Sequence, residues 1–223
     1  MKILALDTST ELCSVALWLA GNTLVREELA GQRHSELLLP MVHELRAEAG
    51  LDLKALDGIA FGEGPGSFTG LRIGCGVAQG LAFGADLPVV GVCTLLALAE
   101  ASAASRVIAC LDARMGEVYH GVYEKNQGEW QTLSAPGLGA PLDVPDVTGE
   151  GWTGCGNGFA VHGEILRCRY AGQLVGVMPD VFPHAAEVAV LGAAQFKRGL
   201  GMDAAEAAPL YIRNKVALKT SER

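Results

Sequence analysis

The stretch Phe61–Gly84, FGEGPGSFTGLRIGCGVAQGLAFG, constrains this chain more than any other, because eight of its twenty-four residues are glycine. It opens as a loop, Gly62-Glu63-Gly64-Pro65-Gly66, after the apolar run Ile59-Ala60-Phe61. Pro65 fixes one φ and the glycines around it permit positive φ. Ser67 or Thr69 then caps a helix running to about Ala85. Gly70, Gly74, Ala78 and Ala82 make one small-residue ridge on that helix at i, i+4 spacing. Gly76, Gly80 and Gly84 make a second, turned by roughly 200° around the axis. A glycine inside a helix costs roughly 0.5–1 kcal/mol relative to alanine. Four such positions cost roughly 2–4 kcal/mol, which points to close backbone approach on two faces. One face packs on the helix's own sheet, and the other is free for a second helix, from this chain or from a partner.

The rest of the chain alternates strands and helices. Lys2–Asp7 is a strand ending in a carboxylate, and Thr8-Ser9-Thr10-Glu11 is a turn. Residues 13–19 and 23–29 form a hairpin about Gly21-Asn22. Residues 35–49 repeat with helical period, placing Leu38, Met41, Val42, Leu45 and Ala49 on one face; Pro40 falls inside and is expected to kink the helix, and Gly50 ends it. Strands at 56–61 and 87–92 flank the glycine helix, and Thr94 is expected to cap a further helix to about Ala101. The order βββ-α-β-α-β-α is that of an α/β fold with a mixed sheet.

After Ser102 the pattern restarts. RVIACLD at 106–112 echoes KILALD at 2–7, again ending in aspartate and again followed by a turn and a strand, here 117–123. This weak duplication implies two lobes. We assign residues 1–102 to the first, with about 184–214 packing back on it, and 103–183 to the second. Residues 131–149 read as a Pro/Gly-rich loop, 152–158 as a strand turning into a helix, 174–178 as a short strand, and Pro183 as the start of a last helix.

Several chemistries are weighed. Asp7 and Asp112, at equivalent strand ends, could hold a metal–nucleotide complex across a cleft. Alternatively, each accepts local N–H bonds. The turn after Asp7 has no glycine and carries Glu11, which disfavours phosphate. Thr8, Gly64, Gly66 and Ser67 are weak anion candidates at a helix N-terminus, where Glu63 intrudes and no Lys-Ser/Thr pair completes a Walker A loop. The Gly154–Gly158 repeat is weaker still. His34, His43, His120, His162 and His184 form no i, i+4 pair, so no histidine metal site is read. Ser67 lacks the Gly-x-Ser-x-Gly frame of a nucleophile elbow. The six cysteines form no CxxC pair and read as buried thiols in a cytoplasmic protein. No signal peptide or membrane span is legible. A net charge of −8 argues against unaided nucleic-acid binding.

ILALDTSTELCSVAL, GEGPGSFTGLRIGCGVAQGLA, VGVCTL, DARMGEVY and the tail PLYIRNKVA together resemble the bacterial TsaB (YeaZ) family of tRNA threonylcarbamoyladenosine biosynthesis proteins. The resemblance covers residues 1 to about 125 and the C-terminus; 126–182 diverge. It implies a two-lobed actin-like fold of the ASKHA, RNase H-like class. It implies a non-catalytic relative of TsaD, the subunit that transfers a threonylcarbamoyl group to the adenosine beside the tRNA anticodon through a histidine-pair metal site. Such a protein would dimerise with TsaD, or with itself, through two first-lobe helices; the ATPase TsaE would join, and tRNA would be met only indirectly. By similarity, Leu38, Met41, Val42 and Leu45, with Ile73, Gly76, Val77, Gly80 and Gly84, would line the interface. No cofactor would be tightly bound, ATP or ADP with Mg entering only through the complex. The alternative is a stand-alone ATP-dependent small-molecule kinase built on Asp7, Asp112 and the glycine loops. A peptidase reading finds no ligand set.

Overall fold

The computed structural model describes residues 1–213; Asn214 and the rest of the tail motif, NKVA, lie outside the described residues. Among the described residues ten strands form two five-stranded mixed sheets. The first has the order β3-β2-β1-β4-β5, from Lys2–Asp7 (β1), Leu12–Leu19 (β2), Asn22–Leu29 (β3), Gly58–Gly64 (β4) and Val89–Cys93 (β5). The second has the order β8-β7-β6-β9-β10, from Arg106–Asp112 (β6), Val118–Asn126 (β7), Glu129–Gly139 (β8), Trp152–Cys155 (β9) and Leu174–Met178 (β10). In each sheet the leading strand pairs antiparallel with its hairpin partner and parallel with the strand on its other side. The duplication read from the two aspartate-ended strands is therefore one of whole-sheet topology.

Helices cover both faces of each sheet, as a mixed sheet requires. Side chains alternate along β1, so Leu4 and Leu6 point to one face and Ile3 and Ala5 to the other. On the first face lie α1 (His34–Ala49) and α2 (Phe68–Ala85), through Leu38, Leu45, Cys75, Ala78 and Ala82. On the second lies α6 (Ala185–Lys197), through Val188, Ala189 and Ala193. The small side chains Ala5, Ala16 and Ala60 let α6 sit close to this sheet. In the second lobe, α4 (Gly158–Val161) and α5 (Gly163–Arg169) cover Ile108, Val122 and Trp152. The opposite face meets α3 (Thr94–Ala101) through Leu95, Leu98 and Ala99.

Two local expectations are corrected. Residues 129–139 form the edge strand β8 and not a loop. Pro136 is tolerated there because an edge strand has one unpaired side, and the β7–β8 register shifts nearby. Thr94 does not cap α3 but is its first residue; Cys93 takes the cap position, and Thr94 Oγ1 is buried without a hydrogen-bond partner. α1 runs unbroken through Pro40, which lies on its exposed side, and ends on Gly50 in the left-handed conformation. Among the described residues no helix is long and apolar enough to cross a membrane.

Candidate functional site

The two ridges of α2 have opposite surroundings. A Cβ placed on Gly70 would lie 1.9 Å from the Thr8 carbonyl oxygen, and one on Gly74 would lie 2.5 Å from Thr8 Oγ1. Neither distance is physical, so this ridge must be glycine for α2 to touch the β1–β2 turn. Three hydrogen bonds fix that contact. Thr8 Oγ1 donates to the Gly70 carbonyl at 2.7 Å, the Ser67 N–H donates to the Ser9 carbonyl at 2.7 Å, and Ser67 Oγ caps the Gly70 N–H at 3.3 Å. On the outer ridge, a Cβ on Gly76, Gly80 or Gly84 would meet nothing within 4 Å. All three are exposed, and beside them Phe83 is 83 % exposed. The molecule thus carries a backbone-deep notch along α2 that no part of the described chain fills.

Of the expected interface residues, Gly76, Gly80 and Gly84 lie on this notch, and Ile73 and Val77 are half-buried beside α1. Leu38, Met41, Val42 and Leu45 do not line it. They are the inner face of α1, buried against the first sheet. Helical periodicity had located the covered face of α1, and the cover is this chain's own core. The outward side of α1 presents Leu39, Pro40 and His43 instead. Phe83 was missed because a lone phenylalanine in an apolar helix reads as core; the signal was its place three residues after Gly80.

Between the lobes lies a cleft of about 780 Å³, lined by Ser9–Glu11, Pro65–Leu71, Leu111–Met115, Asn157 and Leu210–Arg213, among others. The two aspartates do not face each other across it. Asp7 is 1 % exposed and absent from the cleft wall. Its Oδ1 accepts from the Ser9 N–H at 3.0 Å and Ser9 Oγ at 2.8 Å. Its Oδ2 is buried without a partner against Gly62, where a Cβ would come within 2.0 Å. Burial pushes the Asp7 carboxyl up to about 6, with the Ser9 bonds and the His184 charge pulling the other way. Asp112 does reach the cleft. Its Oδ1 accepts from the Arg114 N–H at 3.1 Å, and it stands 3.3 Å from Arg114 Nη1 and 3.6 Å from His162 Nε2.

The anion candidates fare similarly. Thr8 is buried with its hydroxyl committed to α2. Gly64 is buried, and Gly66 is pressed against the Ser9 carbonyl, where a Cβ would come within 2.4 Å. Gly66 and Ser67 touch the cleft wall, but as the seam between α2 and the β1–β2 turn. Glu63 does not intrude there as expected. It turns away toward Gly91, and burial raises its carboxyl. The repeat at 154–158 is packing as well: Gly154 lies under the Phe159 ring, and Gly156 and Gly158 lie against Cys110. Among the described residues no group of three or more His, Cys, Asp or Glu gathers to hold a metal ion. His34 is buried and bonds the Thr10 carbonyl at 2.9 Å, and His120 is half-buried, where desolvation lowers its pKa.

Comparison with known proteins bears on this geometry. The family model described as TsaD, tRNA N6-adenosine threonylcarbamoyltransferase, matches residues 25–220. The tRNA threonylcarbamoyladenosine biosynthesis protein TsaB of Escherichia coli K12 is 38% identical, over 98% of this chain and 97% of that protein. Its namesake in Haemophilus influenzae is 37% identical, over 98% and 96%. The solved structure of YeaZ from Pseudomonas aeruginosa matches with a TM-score of 0.86 at 42% identity, covering 94% of this chain and 99% of that one. The two-lobed arrangement found here is thus also that of a solved relative.

Proposed function

The chain belongs to the TsaB (YeaZ) family, within the wider family of the TsaD transferases, and from that premise we propose that it is a scaffold subunit for threonylcarbamoyl transfer to tRNA. Its place is in the biosynthesis of threonylcarbamoyladenosine on tRNA. In our reading it performs no catalysis itself. It docks the catalytic subunit TsaD on the outer face of α2, and the ATPase TsaE joins the pair. Alone, it pairs with a second copy through the same face, and it meets tRNA only through its partners.

The observation that carries this reading is the empty notch at Gly76, Gly80 and Gly84. Glycine in an exposed helix interior weakens the free protein, by roughly 0.5–1 kcal/mol at each position, and nothing among the described residues requires it there. A partner helix whose backbone must come close does require it, and an exposed aromatic beside such a notch is the kind of side chain that anchors an interface. The cleft supports the non-catalytic half of the reading. Asp7 is sealed beneath β4, so Asp112 stands without the second carboxylate that a kinase of this layout would use to hold a metal–nucleotide complex.

The test is Gly80→Leu, with Gly76→Leu as its companion. Each variant keeps the fold of the free chain and melts no lower than the parent. Each loses co-purification with TsaD and fails to support tRNA modification in a reconstituted assay. A folded Gly80→Leu protein that still captures TsaD at parental affinity removes the docking assignment.

A further inference from the structure

After α6 the chain runs along the first lobe and then leaves it. The Ala207 carbonyl accepts from Gln79 Nε2 at 3.0 Å, and the Leu210 N–H donates to the Glu63 carbonyl at 2.7 Å. The Tyr211 ring lies 6.0 Å from that of Phe68. The Arg72 guanidinium sits over both rings, 3.3 Å from the Phe68 centroid and 5.0 Å from the Tyr211 centroid. All of these partners belong to the first lobe. Two residues later the chain grips the second. Arg213 Nη2 donates to Glu117 Oε2 at 2.5 Å, and Nη1 approaches Met115 Sδ at 3.2 Å.

Glu117 does not swing on a loose loop. The turn between β6 and β7 is closed by Ala113 N–H to the Glu117 carbonyl at 3.0 Å and Glu117 N–H to the Arg114 carbonyl at 3.1 Å. Leu210–Arg213 and Leu111–Met115 are both walls of the cleft. The same short segment therefore has a backbone-and-aromatic foot on one side of the opening and a charged hand on the other.

We propose that Ala207–Arg213 is a strap that sets the width of the cleft, with the Arg213–Glu117 pair as its clasp. The foot is held by a ladder-type hydrogen bond and a cation–aromatic stack, which salt does not readily loosen. The clasp is a charge-assisted bond in which the Arg213 side chain is 14% exposed and that of Glu117 38%, so it is partly shielded yet within reach of screening ions. Opening the clasp removes a tie between the strap and the second lobe, while α3 still packs on both sheets. The lobes then part by hinging and do not unfold. The strap needs no docked partner, so this inference stands or falls independently of the function proposed for α2.

Hydrogen exchange on the full chain tests it. Arg213→Gln and Glu117→Gln each raise amide exchange by about threefold in both walls, residues 66–71 and 113–118, leaving β1 and β6 as protected as in the parent. The charge-swapped double variant, Arg213→Glu with Glu117→Arg, restores parental exchange in both segments. Faster exchange confined to 113–118 would make the pair a local brace of one turn and overturn the strap. So would unchanged exchange in both walls, or a swapped pair that fails to restore it.

Discussion

Replacing Asp7 by asparagine should remove a pH dependence of stability, so that the variant gains on the parent as pH rises from 4 to 8. The carboxyl is 1 % exposed, Ser9 satisfies its Oδ1, and its Oδ2 has no partner. Burial raises its pKa from 3.8 to about 6. The folded state therefore binds the proton more tightly than the unfolded chain. Stability from this group is complete below about pH 4, falls as pH rises through 6, and is absent above it. A displacement of roughly two pH units corresponds to about 3 kcal/mol. Asparagine keeps an oxygen for the two Ser9 bonds and carries no charge to desolvate. Urea unfolding of both proteins from pH 4 to pH 8 gives the difference in stability at each pH, in which all other titrating groups cancel. The difference shifts by about 3 kcal/mol in favour of the variant between pH 4 and pH 8, on top of a constant cost for the amide N–H groups placed at the unpartnered Oδ2 position. A flat difference curve, or a variant that loses stability as pH rises, refutes the argument from burial.

Other substitutions follow from the same contacts. Gly70→Ala and Gly74→Ala should each destabilise by about 1–3 kcal/mol, because the new methyl meets Thr8, whereas Gly80→Ala should gain about 0.5–1 kcal/mol; thermal melts of the three, side by side, separate the two ridges. Ser67→Ala removes the cap on the Gly70 N–H and should cost about 1 kcal/mol by denaturant titration. Thr94→Val exchanges an unpartnered buried hydroxyl for a methyl and should leave the melting temperature equal or higher; a drop would mean that the hydroxyl has a partner in solution.

Much of this was legible before any coordinates. Gly70 and Gly74 at i, i+4 announced a close approach on one face of α2, because each glycine carries a cost that proximity offsets, and that approach is to the β1–β2 turn. The echo of KILALD in RVIACLD announced the repeated sheet. What sequence withheld was the identity of whatever lies opposite a given face. Periodicity marked Leu38, Met41, Val42 and Leu45 as covered without saying that the cover is this chain's own sheet. The end of β1 marked Asp7 as special without revealing that its carboxylate turns under Gly62 and not into the cleft. β8 hid behind Pro136, whose meaning depends on whether the strand is at an edge. The meeting of Arg213 with Glu117, ninety-six positions apart in the chain, leaves no trace in local pattern.

The outer glycines also bear on how variants of this protein should be chosen. A side chain added at residue 76, 80 or 84 would find room and strengthen its helix, so heat challenge or expression screening would reward it. A campaign guided by robustness alone would fill this open face first, and under the docking proposed above only an assay with TsaD present would register the change.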